Sequence, residues 1–179
     1  MEYLDIINEK DEIIGREERT IVHEKGLLHR EIHIWFFDSK ENIIFQKRGV
    51  EKSSGGLLDA TIGGHVDSGE TYVQTALREG FEESGIQLKE GKLVHIGKLR
   101  ETLDLDGAKK KNNFIRMIFL YTEPIEINEM KREEGVKGVD FITYDLNQLE
   151  NIDTLDGRFD QLILEKEVPM ISSFLETKV

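Results

Sequence analysis

The chain has no cysteine among its 179 residues, and it contains no long apolar run. The missing thiols exclude disulfides, thiolate metal sites and cysteine nucleophiles, and they fit a reducing compartment, so a cytoplasmic location is expected. No apolar run approaches the length of a bilayer span, and the acidic amino terminus is no signal peptide. A membrane is therefore not an expected partner.

Basic residues are also scarce, since 24 lysines and arginines face 36 aspartates and glutamates, for a net charge of −12. The isoelectric point is about 4.9. Such a chain offers no basic stripe for a phosphate backbone, so no nucleic-acid polymer is expected as a partner. A small anionic substrate is compatible with this charge, provided that a metal ion is bound with it.

Alternating and apolar segments between turn residues predict a sheet along much of the chain. The predicted strands cover 3–7, 12–15, 29–37, 43–46, 57–62, 92–99, 114–121 and 139–144. A helix is predicted to begin near 69–71, a short one near 145, and a helical tail after 159, interrupted at Pro169. This mixture predicts an α/β fold, an α/β/α sandwich around a mixed central sheet. The length suits one domain over 1–179, with 1–28 as an extension or hairpin.

Residues 63–86, GGHVDSGETYVQTALREGFEESGI, predict the end of a strand, a glycine loop and then one helix. Asp67 and Ser68 offer capping oxygens at the start of the helix, and Gly85 gives it a stop. One stripe at helical spacing is predicted to be buried: Val73, Ala76, Leu77, Gly80 and Phe81. The opposite face is expected to be exposed.

That opposite face carries Glu79, Glu82 and Glu83, three and four residues apart, with Arg78 beside them. Carboxylates this close repel each other unless a cation neutralises them, and oxygen ligands favour Mg²⁺ or Mn²⁺ over zinc. Arg78 can pair with one carboxylate and fix its rotamer. The glycine pair 63–64 allows the backbone to bend and bring a carbonyl near the cation. The alternative, a solvated acidic face, leaves the glycines, the capped start and the arginine unexplained.

This stretch resembles the Nudix box, G-x5-E-x7-R-E-U-x-E-E-x-G-U, in which U is a bulky apolar residue. The matching residues are Gly64, Glu70, Arg78, Glu79, Glu82, Glu83, Gly85 and Ile86. Gly80 departs from the pattern, because the family has an apolar side chain there, and a glycine would shorten the approach to the sheet. The resemblance implies a MutT-like Nudix hydrolase with the α/β/α sandwich, and often a homodimer.

The resemblance implies hydrolysis of a diphosphate linked to another group X, by attack of water at phosphorus with Mg²⁺, for which Mn²⁺ can substitute. The implied metal ligands are Glu79, Glu82, Glu83 and the carbonyl of Gly63. Glu79 is also the leading candidate for the general base. In other members of the family a glutamate of a late loop has this role, and Glu133 and Glu134 occupy such a loop here, unless that loop is simply solvated.

Substrate contacts are predicted for Arg48, which follows a strand opposite the box, for His65 after the glycines, and for Glu134. A surface salt bridge is the alternative for Arg48. The group X is not identified by any signature in the sequence. Nucleoside di- or triphosphates are the first hypothesis, with nucleotide sugars, dinucleoside polyphosphates and coenzymes open. The candidates for stacking on a base are Trp35, Phe36 and Tyr121.

The N-terminal segment HEKGLLHREIHIWFF resembles the isopentenyl-diphosphate isomerase branch of the Nudix superfamily. In that branch, histidines at positions similar to His23, His29 and His65 hold a metal, so these three are either ligands or ordinary polar residues. His33, next to Trp35 on an alternating strand, is predicted to be a packed, hydrogen-bonded residue. The isomerases depend on a cysteine that this chain lacks, so isomerisation is disfavoured.

A third hypothesis is a Nudix-fold module that senses a nucleotide without cleaving it. Such proteins usually lose glutamates of the box, whereas this chain retains them. No DNA-binding domain is recognised in the sequence either. Hydrolysis is therefore the favoured prediction.

Overall fold

The computed structural model describes residues 2–50, 54–105, 109–132, 137–152 and 157–177. The strands are β1 (Tyr3–Ile7), β2 (Ile13–Glu18), β3 (His29–Phe37), β4 (Ile43–Lys47), β5 (Leu58–Asp59), β6 (Ile62–His65), β7 (Leu93–Leu105), β8 (Lys110–Tyr121) and β9 (Asp140–Tyr144). The helices are α1 (Arg19–Lys25), α2 (Tyr72–Ser84), α3 (Leu146–Glu150) and α4 (Val168–Glu176), the last preceded by a π-helical segment (Ile163–Glu167). No helix in the described ranges is long and apolar enough to cross a membrane.

Strand β3 organises the mixed sheet. It pairs in parallel with β8 along 29–35, while its other edge pairs antiparallel first with β6 through 31–34 and then with β4 through 36–37. Strand β7 lies outside β8, and β5 and β9 pair with β4. Strands β1 and β2 form a separate hairpin, as predicted. One edge of β3 therefore changes partner along its length, from β6 in its first half to β4 at its end.

Alternate side chains of β3 point into two apolar cores on opposite faces of the sheet. Ile32 and Ile34 pack with Ala76 of α2, whereas Trp35 packs with Ile163 and Ile171 of the C-terminal helical region. All six are fully buried. Period-two alternation places neighbouring residues on opposite faces, so one strand supports both helical layers. The predicted α/β/α sandwich with a mixed central sheet is confirmed.

The strand predicted over 57–62 is wrong in one respect, because it is divided into β5 and β6. Between them, the hydroxyl of Thr61 accepts a hydrogen bond of 3.0 Å from the backbone N–H of Phe36 and donates to the carbonyl of Ile44. Thr61 is fully buried, and its side chain replaces backbone pairing at this point. The division ends the pairing with β4 and begins the pairing with β3.

The glycine loop predicted at Gly63 and Gly64 is also wrong, because both residues lie inside β6. They pair with His33 and Ile32 of β3 in an antiparallel ladder. The chain turns later, between β6 and α2, where Gly69 has a φ of 88°. The glycines are needed for close approach of side chains, described below, and not for a turn.

Helix α2 begins slightly later than predicted, and its cap is neither Asp67 nor Ser68. The hydroxyl of Thr71 accepts from the backbone N–H of Gln74 at 3.2 Å, and the side-chain oxygen of Gln74 accepts from the N–H of Thr71 at 2.9 Å. This is a capping box, which satisfies two otherwise unpaired donors. Gly85, with a φ of 71°, ends the helix as predicted.

The predicted buried stripe of α2 is wrong for Phe81, which is 54% exposed. Gly80 is buried, and a Cβ built on it would collide with the side chain of Leu88. Gly80 therefore allows the segment after the helix to pack closely against α2. Close packing against the sheet was expected instead. Phe81 lies about 100° further round the helix, beyond this contact.

The predicted interruption of the C-terminal helix at Pro169 is wrong. Pro169 occupies the first turn of α4, and the π-helical segment leads into that turn without a break. The proline is tolerated because the π-helical segment directly before it departs from the α-helical hydrogen-bond pattern that the missing N–H would otherwise interrupt. A π segment inserts one extra residue per turn and so redirects the side chains that follow it.

Candidate active site

A cavity of about 710 Å³ opens beside the first half of β3. Its lining combines side chains from the central strands with those of the predicted box. Among the lining residues are Glu31, His33, Arg48, Asp59, Gly63, Gly64, His65, Glu79, Glu83, Asn112, Arg116 and Asp160. The lining carries both carboxylates and cations, as a site for an anionic substrate together with a metal requires.

The three glutamates of α2 have different surroundings. Glu79 and Glu83 line the cavity. The side chain of Glu79 is 15% exposed, whereas that of Glu82 is 57% exposed. Burial raises the pKa of Glu79, an effect that the adjacent Arg78 opposes. The carboxylates inside the cavity are therefore those of Glu79 and Glu83, while Glu82 lies at its solvent side.

Arg78 connects these glutamates to the start of the helix. Its Nε and Nη2 atoms donate to Glu70, with Nη2 at 2.9 Å from Oε2. Its Nη1 donates to Glu79 at 2.8 Å and to Glu82 at 3.2 Å. A planar guanidinium donates in fixed directions, so it sets the rotamers of the carboxylates that it contacts.

Gly64 and Glu79 are in direct contact. A Cβ built on Gly64 would lie 2.5 Å from the carboxyl carbon and from Oε1 of Glu79. Any side chain at this position would therefore displace the carboxylate from the strand. Strand β6 and helix α2 approach closely here because Gly64 has no side chain.

Glu83 lies against the preceding glycine. Its Oε2 accepts from the side-chain amide of Gln46 at 3.1 Å, and the N–H of Gly63 lies 3.4 Å from the same oxygen. A carboxylate that accepts such hydrogen bonds is held in place. The geometry brings Glu83 and the backbone of Gly63, two of the proposed metal ligands, into one place.

Arg48 lies at the cavity, where its Nη1 forms an ion pair of 2.5 Å with Asp59. The side chain of Arg48 is 28% exposed and that of Asp59 is 10% exposed. The pair is therefore partly buried, and not an ordinary surface salt bridge. Glu133 and Glu134, the late-loop candidates for the general base and for substrate contact, lie outside the described residues.

Three histidines converge at one side of the cavity. One ring nitrogen from each of His23, His29 and His65 lies within 4.8 Å of the others. The Nε2 atoms of His23 and His65 are 3.1 Å apart, and the rings of His29 and His65 are stacked with centroids 5.2 Å apart. The three come from α1, β3 and β6, which are distant in sequence. We call this group the histidine cluster.

The hydrogen bonds of the histidine cluster leave the Nε2 atoms facing one another. Nδ1 of His23 donates to the carbonyl of Lys111 at 3.2 Å, and Nδ1 of His29 donates to the carbonyl of Leu27 at 3.0 Å. Burial lowers the pKa of His23, and lowers that of His65 well below its usual range. Neutral rings with Nδ1–H bonded to carbonyls present Nε2 lone pairs, which is the form that binds metals.

Nε2 of His29 is buried and has no hydrogen-bond partner among the described residues. A buried polar atom without a partner costs stability, so such an atom calls for an explanation. The carboxylate oxygen Oε1 of Glu31 lies 3.8 Å from it and 3.5 Å from Nε2 of His65. Three imidazoles and one carboxylate form a donor set that fits a divalent transition metal.

Glu31 belongs to a buried network that the sequence analysis missed. Arg116 donates to Glu31 through Nε at 3.1 Å and Nη2 at 2.8 Å, and through Nη1 to Glu167 at 3.0 Å. Glu167 also accepts from Nδ1 of His33 at 2.8 Å and from the indole N–H of Trp35 at 2.9 Å. Burial opposes ionisation of Glu31, yet Arg116 and the histidines hold its pKa well below the usual range.

One signal for this network was present in the sequence. His29, Glu31 and His33 alternate with Ile32 and Ile34, so period two places the three polar residues on one face. The prediction that His33 is packed and hydrogen-bonded is confirmed, since it is 5% exposed and bonded to Glu167. No local pattern indicates that Glu167 reaches the same face from the far end of the chain.

The residues expected to stack on a base do not face the cavity. Trp35, Phe36 and Tyr121 are at most 2% exposed, and each belongs to an apolar core. They are absent from the lining of the cavity among the described residues. Their apolar bodies are used for packing the two faces of the sheet, so that prediction is wrong.

Comparison with known proteins agrees with this geometry. The model of the NUDIX domain matches residues 27–163. An uncharacterised Nudix hydrolase of Clostridium acetobutylicum is 32% identical over 170 residues, which cover 92% of this chain and 79% of the relative. An isopentenyl-diphosphate Delta-isomerase of Pectobacterium atrosepticum is 37% identical over 121 residues, covering 67% of this chain and 66% of the isomerase.

Among solved structures, a crystal structure of a protein from Deinococcus radiodurans superimposes with a TM-score of 0.67 at 18% identity. The match covers 94% of this chain and 97% of that one. At this identity the likeness shows the fold, and the family is shown by the domain match and by the Clostridium relative. The chain belongs to the Nudix family and is a Nudix pyrophosphohydrolase.

Proposed function

We propose that this Nudix hydrolase cleaves the diphosphate linkage of a nucleoside di- or triphosphate, or of another nucleoside diphosphate derivative, with Mg²⁺ as the cofactor and Mn²⁺ as a substitute. The observation that carries the proposal is the convergence of Glu79, Glu83 and the backbone of Gly63 at one wall of a cavity. Oxygen donors of this kind suit Mg²⁺.

The residues that would hold the magnesium are Glu79, Glu83 and the carbonyl of Gly63. Glu82, the remaining predicted ligand, lies at the solvent side of the cavity. When bound, the ion supplies charge neutralisation for the diphosphate and activation of the attacking water. Arg78 keeps Glu79 oriented, and Glu79 is the proposed general base, with Glu133 or Glu134 as alternatives.

Arg48 is the proposed contact for the substrate phosphates, together with Glu134 for another part of the substrate, while His65, the other predicted contact, is assigned to the histidine cluster. Arg48 is already oriented by Asp59, so its fixed guanidinium can receive an anion without much loss of rotamer freedom. The cavity of about 710 Å³ has room for a nucleoside as well as a diphosphate. This volume supports a substrate larger than a short-chain diphosphate.

The histidine cluster would hold a second divalent ion, separate from the magnesium site on α2. The Nε2 of His29, which has no partner among the described residues, and the convergence of one ring nitrogen from each of the three histidines support this assignment. The similarity to an isomerase fits the same cluster, but isomerisation is disfavoured because the chain contains no cysteine. A nucleotide sensor is disfavoured by the retained glutamates of α2.

The test is a phosphate- and pyrophosphate-release screen of the purified protein with Mg²⁺ or Mn²⁺. The panel contains nucleotides, nucleotide sugars, dinucleoside polyphosphates and isopentenyl diphosphate. Metal-dependent cleavage of a nucleoside derivative is the expected result. Cleavage confined to isopentenyl diphosphate would contradict the nucleoside assignment, and metal binding without any cleavage would favour the sensor.

A homodimer and a cytoplasmic location remain predictions from the sequence. Light scattering of the purified protein tests the first, with the mass of two chains as the expected result. Fractionation of the source cells tests the second.

A further inference from the structure

We propose that Glu167 is a positioning residue of this site, which acts through Arg116 and His33 on the histidine cluster and on Gly63. The inference rests on the proposed metal binding, and it assigns a role to a segment beyond the family match. That match ends at residue 163, whereas Glu167 is the last residue of the π-helical segment. π-Helical insertions often redirect a side chain at a functional site.

The first observation is the complete burial of Glu167. The exposed fraction of Glu167 is 0%. The segment that carries it packs against one apolar face of the sheet. The neighbouring Glu165 and Lys166 are exposed to solvent. A buried carboxylate costs free energy unless it is paired, so its retention calls for an explanation beyond helix packing.

The second observation is the direction of its contacts. One path runs from Glu167 through Arg116 to Glu31, whose Oε1 lies 3.5 Å from Nε2 of His65. Arg116 uses two nitrogens on Glu31 and the third on Glu167, so its guanidinium is fixed at both ends. Removing the carboxylate of Glu167 would leave the guanidinium held by Glu31 alone and take away the contact that fixes its other end. Glu167 therefore supports the Oε2 side of Glu31 through Arg116, while Asn112 donates to Oε1 at 2.7 Å.

A second path runs through His33 to the box. Glu167 accepts the hydrogen bond of Nδ1, which fixes the plane of the imidazole. The opposite edge of the ring packs on Gly63, where a built Cβ would lie 3.0 Å from Cδ2 and 3.1 Å from Nε2. The ring thus restrains the backbone whose carbonyl is a proposed magnesium ligand. Glu167 supports both proposed metal sites from the same carboxylate.

The experiment compares wild type, Glu167→Gln and Glu165→Gln, loaded with Co²⁺ in the presence of excess Mg²⁺. Four-coordinate Co²⁺, as three imidazoles and one carboxylate would hold it, absorbs far more strongly in the visible range than six-coordinate Co²⁺ on oxygen ligands, so the spectrum reports the histidine cluster and not the carboxylates of α2. We expect the dissociation constant for Co²⁺ to rise about 10-fold or more in Glu167→Gln, the scale for losing an outer partner of a metal ligand. Glu165→Gln, an exposed residue of the same segment, should match wild type.

Far-UV circular dichroism and a cooperative thermal unfolding transition show whether Glu167→Gln is folded. If it is not, Arg116→Lys replaces it, because this variant keeps the buried charge and loses the simultaneous contacts to Glu31 and Glu167. A wild-type Co²⁺ affinity and spectrum in either folded variant would overturn the proposal, and so would the absence of the Co²⁺ bands in wild type. Wild type that binds Co²⁺ but cleaves nothing in the substrate screen would refute the proposed hydrolysis while leaving this test of Glu167 intact.

Discussion

The Nη1 atom of Arg78 donates a hydrogen bond of 2.8 Å to Oε1 of Glu79. The same guanidinium is fixed from behind by Glu70. This arrangement orients the proposed base without occupying all of its lone pairs. It makes the geometry of Arg78, and not merely its charge, important for turnover.

Replacing Arg78 by lysine should test that distinction. A lysine ammonium keeps the charge but cannot contact Glu70 and Glu79 in fixed directions. We expect turnover to fall about 10- to 100-fold, the range for losing a partner that orients a metal site. Steady-state kinetics with the substrate from the screen measures it, and Arg132→Lys, at an exposed ion pair, is the control. An unchanged turnover would show that charge alone suffices.

Replacing Glu83 by glutamine keeps the shape of the side chain and removes a metal-binding charge. We expect a loss of at least about 100-fold in turnover, since a proposed ligand is removed. The control is Glu90→Gln, which changes the net charge equally at an exposed position. A rate near that of wild type would mean that the catalytic metal is held elsewhere.

Gly64→Ala places a methyl group against the carboxylate of Glu79, where the built Cβ lies 2.5 Å from Oε1. We expect Mg²⁺ affinity and turnover to fall together, about 10-fold or more, because Glu79 must move. Gly91→Ala is the matched control, since a Cβ there meets nothing within 4 Å. Isothermal titration with Mg²⁺ measures the affinity, and equal affinities for the two variants would contradict the assignment of Glu79 as a ligand.

His29→Gln removes the buried Nε2 atom that has no partner among the described residues. We expect the transition metal retained after dialysis to fall from one to about zero per chain, because one of three imidazole donors is lost. His95→Gln, an exposed histidine in β7, controls for the loss of a surface imidazole. Elemental analysis provides the count, and full retention of metal by His29→Gln would rule out this donor set.

Asp11→Asn should destabilise the fold and not the site. Asp11 accepts from Nε of Arg30 at 2.6 Å and from the hydroxyl of Tyr72 at 3.0 Å, so it fastens the N-terminal hairpin to β3 and α2. We expect the free energy of unfolding to fall by about 2 kcal/mol, as for hydrogen bonds to a charged group. Urea unfolding at pH 7 measures it, with the exposed Asp104→Asn as control.

The same interaction has a defined pH dependence. Burial opposes ionisation of Asp11, but Arg30 and Tyr72 lower its pKa below the usual 3.8. A lowered pKa in the folded state stabilises the protein fully above about pH 4, and this stabilisation is lost as the pH falls through the folded-state pKa. The difference in unfolding free energy between wild type and Asp11→Asn should therefore shrink in acid. A difference that is constant from pH 7 to below 3 would exclude this carboxylate as the cause.

The sequence by itself determined the features that depend on local spacing. The 3.6-residue period of α2 puts Glu79 and Glu83 on one side of the helix whatever surrounds it. Gly85 ends the helix because few other residues adopt its positive φ. Period-two alternation likewise identified β3. These rules operate within a few residues, so they can be read from the chain without its fold.

Tertiary structure alone decided which of these residues meet. The histidine cluster joins residues 23, 29 and 65, and Glu167 reaches His33 across 134 positions of the chain. Such contacts depend on sheet register, on the division between β5 and β6 at Thr61, and on a π-helical segment that redirects one carboxylate inward. The burial of Trp35, Phe36 and Tyr121 was decided in the same way, since apolar surface is buried wherever the assembled layers close over it. Local pattern supplied the chemical groups, and long-range packing placed them.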